Sequence, residues 1–60
     1  VPKATNYDWD KLIWIRYDKF YVMQEAWEWD VVQYQATFHS ISRLSPADYR
    51  RGKCLYVKDL

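Results

Sequence analysis

The sequence predicts an all-α or mainly α chain, with a long amphipathic helix or helical hairpin over residues 9–42 followed by a short capped helix. Three observations carry this. No proline or glycine lies between Pro2 and Pro46, so the usual turn-forming residues are missing from the body of the chain. Alternating steps of four and three residues from Ile13 lead through Tyr17, Phe20, Gln24, Trp27, Val31, Tyr34, Phe38 and Ile41. Eight of these nine positions are apolar, which is the spacing of one helical face. Finally, Ser45-Pro46-Ala47-Asp48 combines an N-cap serine, a proline at the first helical position and a carboxylate facing the helix dipole.

Residues 1–8 read as an extended N-terminal arm to a single small domain spanning 1–60. In the segment that follows, Ile15, Val22, Trp29 and Ala36 form a second apolar column beside the first. Lys11, Asp18, Glu25, Val32 and His39 form a mostly charged opposite side. A continuous helix here would be roughly 50 Å long at 1.5 Å per residue, which is long for such a domain. It either stands against a partner or breaks near Tyr17 to Phe20 or near Asp30 to Tyr34 and folds back. Strands are the competing reading, because aromatic and β-branched types favour them and Trp27, Trp29 and Val31 alternate with Glu28 and Asp30. Strict alternation fails in Leu12-Ile13-Trp14-Ile15 and in Phe20-Tyr21-Val22-Met23.

The helix that starts at Ser45 is expected to stop at Gly52, read as a left-handed cap. Cys54-Leu55-Tyr56-Val57 is then either extended or a continuation of the helix. The two halves of the chain differ in charge. Residues 1–42 carry four cations and six anions, whereas residues 43–60 carry five cations and two anions.

Sixty residues bury only about 60% of their unfolded surface, so a chain this short needs a staple, a partner or an unusually good core. With Cys54 as the sole cysteine, no internal disulfide can form. The expected setting is an intracellular, reducing compartment, with no secretory signal pattern visible. Four Trp, six Tyr and two Phe each bury roughly 150–250 Å² when enclosed, more than a two-element fold covers. Surplus aromatic surface points to a protein partner or self-association. No apolar run approaches the ~20 residues that span a bilayer. Trp and Tyr favour bilayer interfaces, which leaves peripheral membrane contact open.

The residues argue against an enzyme, a cofactor and a metal. His39 and Cys54, each the only one of its type, would need carboxylates or a second chain to hold zinc. His39 reads instead as a polar-face residue near the end of the long helix, and Cys54 as a small buried apolar one. Glu25 and Glu28 lie one helical turn apart, as solvating charges do. Gly52 alone cannot build a phosphate loop. In the basic segment, Arg43, Arg50, Arg51, Lys53 and Lys58 interleave with Tyr49 and Tyr56, the mixture of phosphate-binding cations and stacking rings used on nucleic acid.

Arg43-Leu44-Ser45-Pro46-Ala47, with Gly52-Lys53 and Leu55-Tyr56, resembles the wing segment of phage excisionases, small winged-helix DNA-bending proteins of site-specific recombination. Tyr21 to Trp27, YVMQEAW, is similar to the opening strand and first helix of that fold. The resemblance implies a small α+β winged helix that binds DNA. It departs at the recognition helix, which is Arg-rich in the family, whereas Val31 to Ser42 contains no Arg or Lys.

The residues themselves favour a non-catalytic protein interaction module, a small accessory subunit binding through a Trp- and Tyr-rich helical face. Trp14, Phe20, Trp27, Trp29 and Tyr34 are its expected partner-binding anchors. The resemblance supplies the alternative, a small DNA-binding protein of excisionase type, with Arg43, Arg50, Arg51 and Lys53 as nucleic-acid contacts.

Overall fold

A computed structural model describes residues 7–59. The elements, in chain order, are β1 (Lys11–Tyr17), β2 (Met23–Asp30), α1 (Val31–Phe38), α2 (Pro46–Tyr49) and β3 (Lys53–Val57). They form one antiparallel sheet in the order β1-β2-β3. The segment carrying both helices crosses one face of the sheet and returns the chain as β3 beside β2.

This overturns the mainly α expectation and fits the α+β alternative. The long helix over 9–42 is a β-hairpin followed by an eight-residue helix. Strand geometry wins because side chains alternate between two faces with period two, and here both faces carry large apolar groups. Leu12, Trp14 and Arg16 of β1 pair with Trp29, Trp27 and Glu25 of β2 on the inner face, while Ile13 and Ile15 pair with Glu28 and Ala26 on the outer face. An apolar outer face conceals the alternation from a pattern search. The secondary structure implied for the excisionase-like pieces also differs. Residues 21–27 belong to a turn and β2, while residues 43–56 contain α2 and most of β3.

The hairpin turns without glycine or proline because Asp18 supplies the bonds. Its Oδ1 accepts from the backbone N–H groups of Phe20 and Val22 at 2.8 and 3.0 Å. Its carbonyl accepts from Tyr21 N at 3.0 Å, and its own N–H donates to Val22 O at 3.0 Å. Tyr21 takes the left-handed conformation, φ 63°. This is the arrangement of a three-residue hairpin loop closed by a left-handed residue.

Asp30 ends β2 and caps α1 at once, its Oδ1 accepting from Gln33 N at 2.7 Å. Val31 N donates to Asp10 O at 2.9 Å, fastening the junction to the start of β1. Helix α2 begins on the Ser45 signal with a capping box. Asp48 N–H donates to Ser45 Oγ at 3.4 Å, and Asp48 Oδ2 accepts from Ser45 N at 2.8 Å. These bonds, the Ser45 backbone N–H first, hold the Asp48 carboxyl below its ordinary range.

Gly52 is not the left-handed cap expected of it, since no glycine has positive φ among the described residues. The role it plays is one of clearance. A Cβ there would stand 2.5 Å from Trp29 Nε1 and 2.7 Å from Glu28 O. That space lets the Trp29 indole reach across and donate to Tyr49 O at 3.0 Å.

The core lies between the inner face and the helices and is built from Trp29, Tyr34, Phe38, Leu44 and Tyr49, with Tyr7, Trp9, Leu12, Trp14 and Ile41 packed against it. Rings meet edge-on or tilted: Trp29 with Phe38 at 4.9 Å, Tyr34 with Phe38 at 5.2 Å, and Trp9 with Tyr34 at 5.4 Å between centroids. Trp14 instead stacks flat on Tyr49, at 5.1 Å and 4°. Such pairs add about 0.5–1.5 kcal/mol each beyond the area they bury. This aromatic packing gives a chain without a disulfide the dense core that its length requires.

Candidate functional site

The residues expected as partner anchors do not form one surface. Trp29 is 1% exposed and Tyr34 0%, so both rings are enclosed by the chain itself. Trp14 is half-buried against Tyr49. Trp27, also half-buried, donates its indole N–H to Glu25 Oε1 at 2.8 Å. Phe20 alone of the five stands out in solvent, 72% exposed at the hairpin tip. The helical face meant to carry all five does not exist.

The basic residues are likewise divided. Arg43 is exposed in the segment between the helices. Arg51 lies over the Phe38 ring, 5.8 Å from its centroid. Lys53 starts β3 on the outer face and approaches Glu28 at 3.9 Å, with Lys11 on the other side of that carboxylate at 3.5 Å. A cavity of about 230 Å³ opens there, lined by Lys11, Glu28, Asp30, Gln33 and Lys53.

Arg50 belongs elsewhere. Immediately after α2, it grips the buried Glu25 through Nε at 2.6 Å and Nη2 at 2.8 Å, while Arg16 of β1 reaches the same carboxylate at 2.6 Å. Arg50 first, then Arg16 and the Trp27 N–H, hold the Glu25 carboxyl down at about 2 despite its burial. Two guanidiniums on one carboxylate leave a positive excess at this point of the inner face.

That point lies beside the hairpin tip. Glu25 pairs with Arg16 just before the strands enter the turn. On the other side, Lys58 N donates to Gln24 O at 2.9 Å, so the end of β3 arrives at the same place. Arg16 and Lys19 of the hairpin, Arg50 after α2 and Lys58 after β3 thus gather at one end of the molecule. Two of the three acids here are turned inward, while Asp59, next to Lys58, is exposed. Glu25 is enclosed by its donors, and Asp18 Oδ2 accepts from Gln24 Nε2 at 3.1 Å in addition to the turn bonds on Oδ1. Beyond them the tip displays Tyr17, Phe20, Tyr21 and Val22, with Tyr21 88% exposed. The Lys19 ammonium lies 5.2 Å from the centre of the Phe20 ring.

Sequence reasoning singled out Phe20 as an anchor and Arg50 and Lys58 in the basic segment, but not their meeting with Arg16, Lys19 and Tyr21. The missed signal was Asp18, an aspartate of the kind that nucleates a turn by bonding backbone N–H groups two and more residues on. His39 and Cys54, weighed for zinc, stand apart. His39 caps the end of α1, with Nδ1 3.1 Å from Ala36 O, and Cys54 is exposed on the edge strand β3 rather than buried. Among the described residues no group of three or more His, Cys, Asp or Glu is placed to hold a metal ion, and no helix is long and apolar enough to cross a membrane.

The outer face of the sheet is the second exposed apolar region. Ala26 is buried in its centre, between Ile13 and Ile15 on β1 and Leu55 and Tyr56 on β3, all four exposed. The register shift between the pairs Ala26–Tyr56 and Trp27–Cys54 makes Leu55 the extra residue of a bulge beside them. No protein family, curated protein or solved structure matches the chain.

Proposed function

We propose that the chain is a non-catalytic nucleic-acid-binding module, the function implied by its resemblance to the excisionases, and that it meets DNA with the hairpin end. One observation carries the reading: Arg16 and Lys19 of the hairpin, Arg50 and Lys58 converge beside exposed aromatic rings, with Glu25 and Asp18 internally bonded. Cations of this kind bind phosphates, and exposed rings stack on bases. The α+β architecture agrees with the class of fold the resemblance implies. The contact surface differs from the one the sequence marked out, since of Arg43, Arg50, Arg51, Lys53 and Lys58 only Arg50 and Lys58 belong to it.

The test is fluorescence anisotropy with labelled duplex and single-stranded DNA across a salt series. Binding should weaken linearly in log–log form, and replacing Lys19 and Lys58 together by Ala should lower the slope by about 2, close to one for each phosphate no longer neutralised. Absence of salt-sensitive binding at protein concentrations of about 100 μM, the weak end of non-specific affinity, rejects the proposal.

A second reading rests on the outer face. Contiguous exposed apolar surface is a mark of association, and Ile13, Ile15, Leu55 and Tyr56 around Ala26 form such a surface, which a protein partner or a second copy would cover. Sedimentation at micromolar concentration separates the two readings, because self-association that ignores salt and DNA favours the outer face.

A further inference from the structure

The hairpin tip contains a residue that works against the stability of its own turn. Tyr21 sits at φ 63°, where an L side chain is strained and glycine is at ease. Its ring returns nothing by burial, being 88% exposed, and its neighbour Phe20 is 72% exposed. Neither folding nor solubility accounts for two consecutive rings at this place. The turn under them is nonetheless firm, because Asp18 fixes the backbone N–H groups of Phe20 and Val22 through Oδ1 and takes the Gln24 amide on Oδ2. The rings are therefore presented on a narrow, pre-formed support rather than on a floppy loop. Strain held in place by its surroundings at an exposed position is a mark of function.

We infer that Phe20 and Tyr21 form a base-stacking wedge, entering a base step of duplex DNA from the groove while Lys19, Arg16 and Lys58 hold the flanking phosphates. The inference rests on the nucleic-acid reading above and adds the base contact to it. Apolar side chains that part base steps act in this way elsewhere, and Phe and Tyr rings stack on bases whatever the sequence. The tip suits the task because its only outward charge is Lys19, placed beside the Phe20 ring, while Asp18 is turned into the turn. Attachment to a lipid surface would use the same exposed residues, Tyr17, Phe20, Tyr21 and Val22, but it asks for a broader apolar face, and two consecutive rings at the apex of a narrow turn suit a base step better.

The test compares the parent chain with Phe20→Ala and Tyr21→Gly, on duplex DNA carrying the fluorescent base 2-aminopurine. Tyr21→Gly relieves the left-handed strain, so it should melt no lower than the parent, and weakened binding cannot then be blamed on misfolding. Each variant should bind about tenfold more weakly, the scale of one missing base stack, with an unchanged salt slope. The 2-aminopurine signal, which rises when a base unstacks, should rise with the parent and stay flat with the variants. If the parent binds with salt dependence but both variants match it within twofold, the wedge is wrong and the nucleic-acid reading stands. If the parent binds no DNA, both fall together. If the variants keep DNA affinity but lose sedimentation with phosphatidylserine vesicles, or lose self-association, the tip serves a membrane or a protein and the wedge is overturned.

Discussion

The two faces of the sheet are built from similar residues and come to opposite ends. On the inner face Leu12, Trp14 and Trp29 are covered by α1, α2 and the segment between them. On the outer face Ile13, Ile15, Leu55 and Tyr56 face solvent around a buried alanine. Composition does not separate the faces, since both are apolar. What separates them is where the chain goes after Asp30. Because β2 runs straight into α1, the helices can cover only the face that Trp29 occupies. Aromatic content alone therefore says nothing about which rings meet a partner, and Trp29 and Tyr34 show how readily the largest ones are taken into the core.

Truncating Trp29 to Ala tests this contrast most severely. It removes a ring in contact with Tyr34 and Phe38 and the hydrogen bond to Tyr49 O, and should cost about 3–5 kcal/mol. In a chain this small that leaves little or no cooperative thermal transition, read by circular dichroism. Retention of a sharp transition would mean the inner face is not the core.

Glu25 comes next, at the border between core and hairpin end. Its folded pKa of about 2 lies below the ordinary 4.5, so its charge contributes stability that is fully present above about pH 4.5 and drains away as pH falls through about 2. Glu25→Gln should cost about 2 kcal/mol at neutral pH by leaving Arg16 and Arg50 without a carboxylate, the loss being softened because both arginines are partly solvated. Urea titrations across pH would show a flatter acid limb for this variant. An acid limb as steep as the parent's would place the titrating group elsewhere.

The smallest effect belongs to the outer face. Ile13→Thr keeps a β-branched strand former on an exposed position and should change stability by no more than about 0.5 kcal/mol. A loss of 2 kcal/mol or more would show that the outer face is covered in solution, by a second copy at the concentration of the measurement.

How much of this was legible in the sequence varied from element to element. Helix α2 was plain, because Ser45, Pro46 and Asp48 act locally and their bonds do not depend on the rest of the fold. The chain does change course near both places named as breaks in a long helix, at Asp18–Val22 and at Asp30. What was missed is that aspartates make both changes, one as a turn former and one as an N-cap. Between those points the column from Ile13 to Ile41 matched a helical spacing by coincidence. In a chain with so many apolar residues, a column of period 3.5 and a sheet apolar on both faces select many of the same positions. β3 was one of two readings left open, and tertiary pairing with β2 decided it. The candidate site was the least legible part, since Arg16 and Lys19 lie more than thirty residues before Arg50 and Lys58 and only the β3 crossover brings the two pairs together.

The junction at Asp30 has one more consequence. With no linker between β2 and α1, the pleat of the strand and the turn of the helix are phase-locked through Asp30, which ends one and caps the other. One residue inserted between Trp29 and Val31 would rotate α1 by about 100° relative to the sheet, carrying Tyr34 and Phe38 off the core and parting Val31 from Asp10. The junction between β2 and α1 should thus tolerate almost no change of length, and indels that survive selection should collect in the loop between the helices.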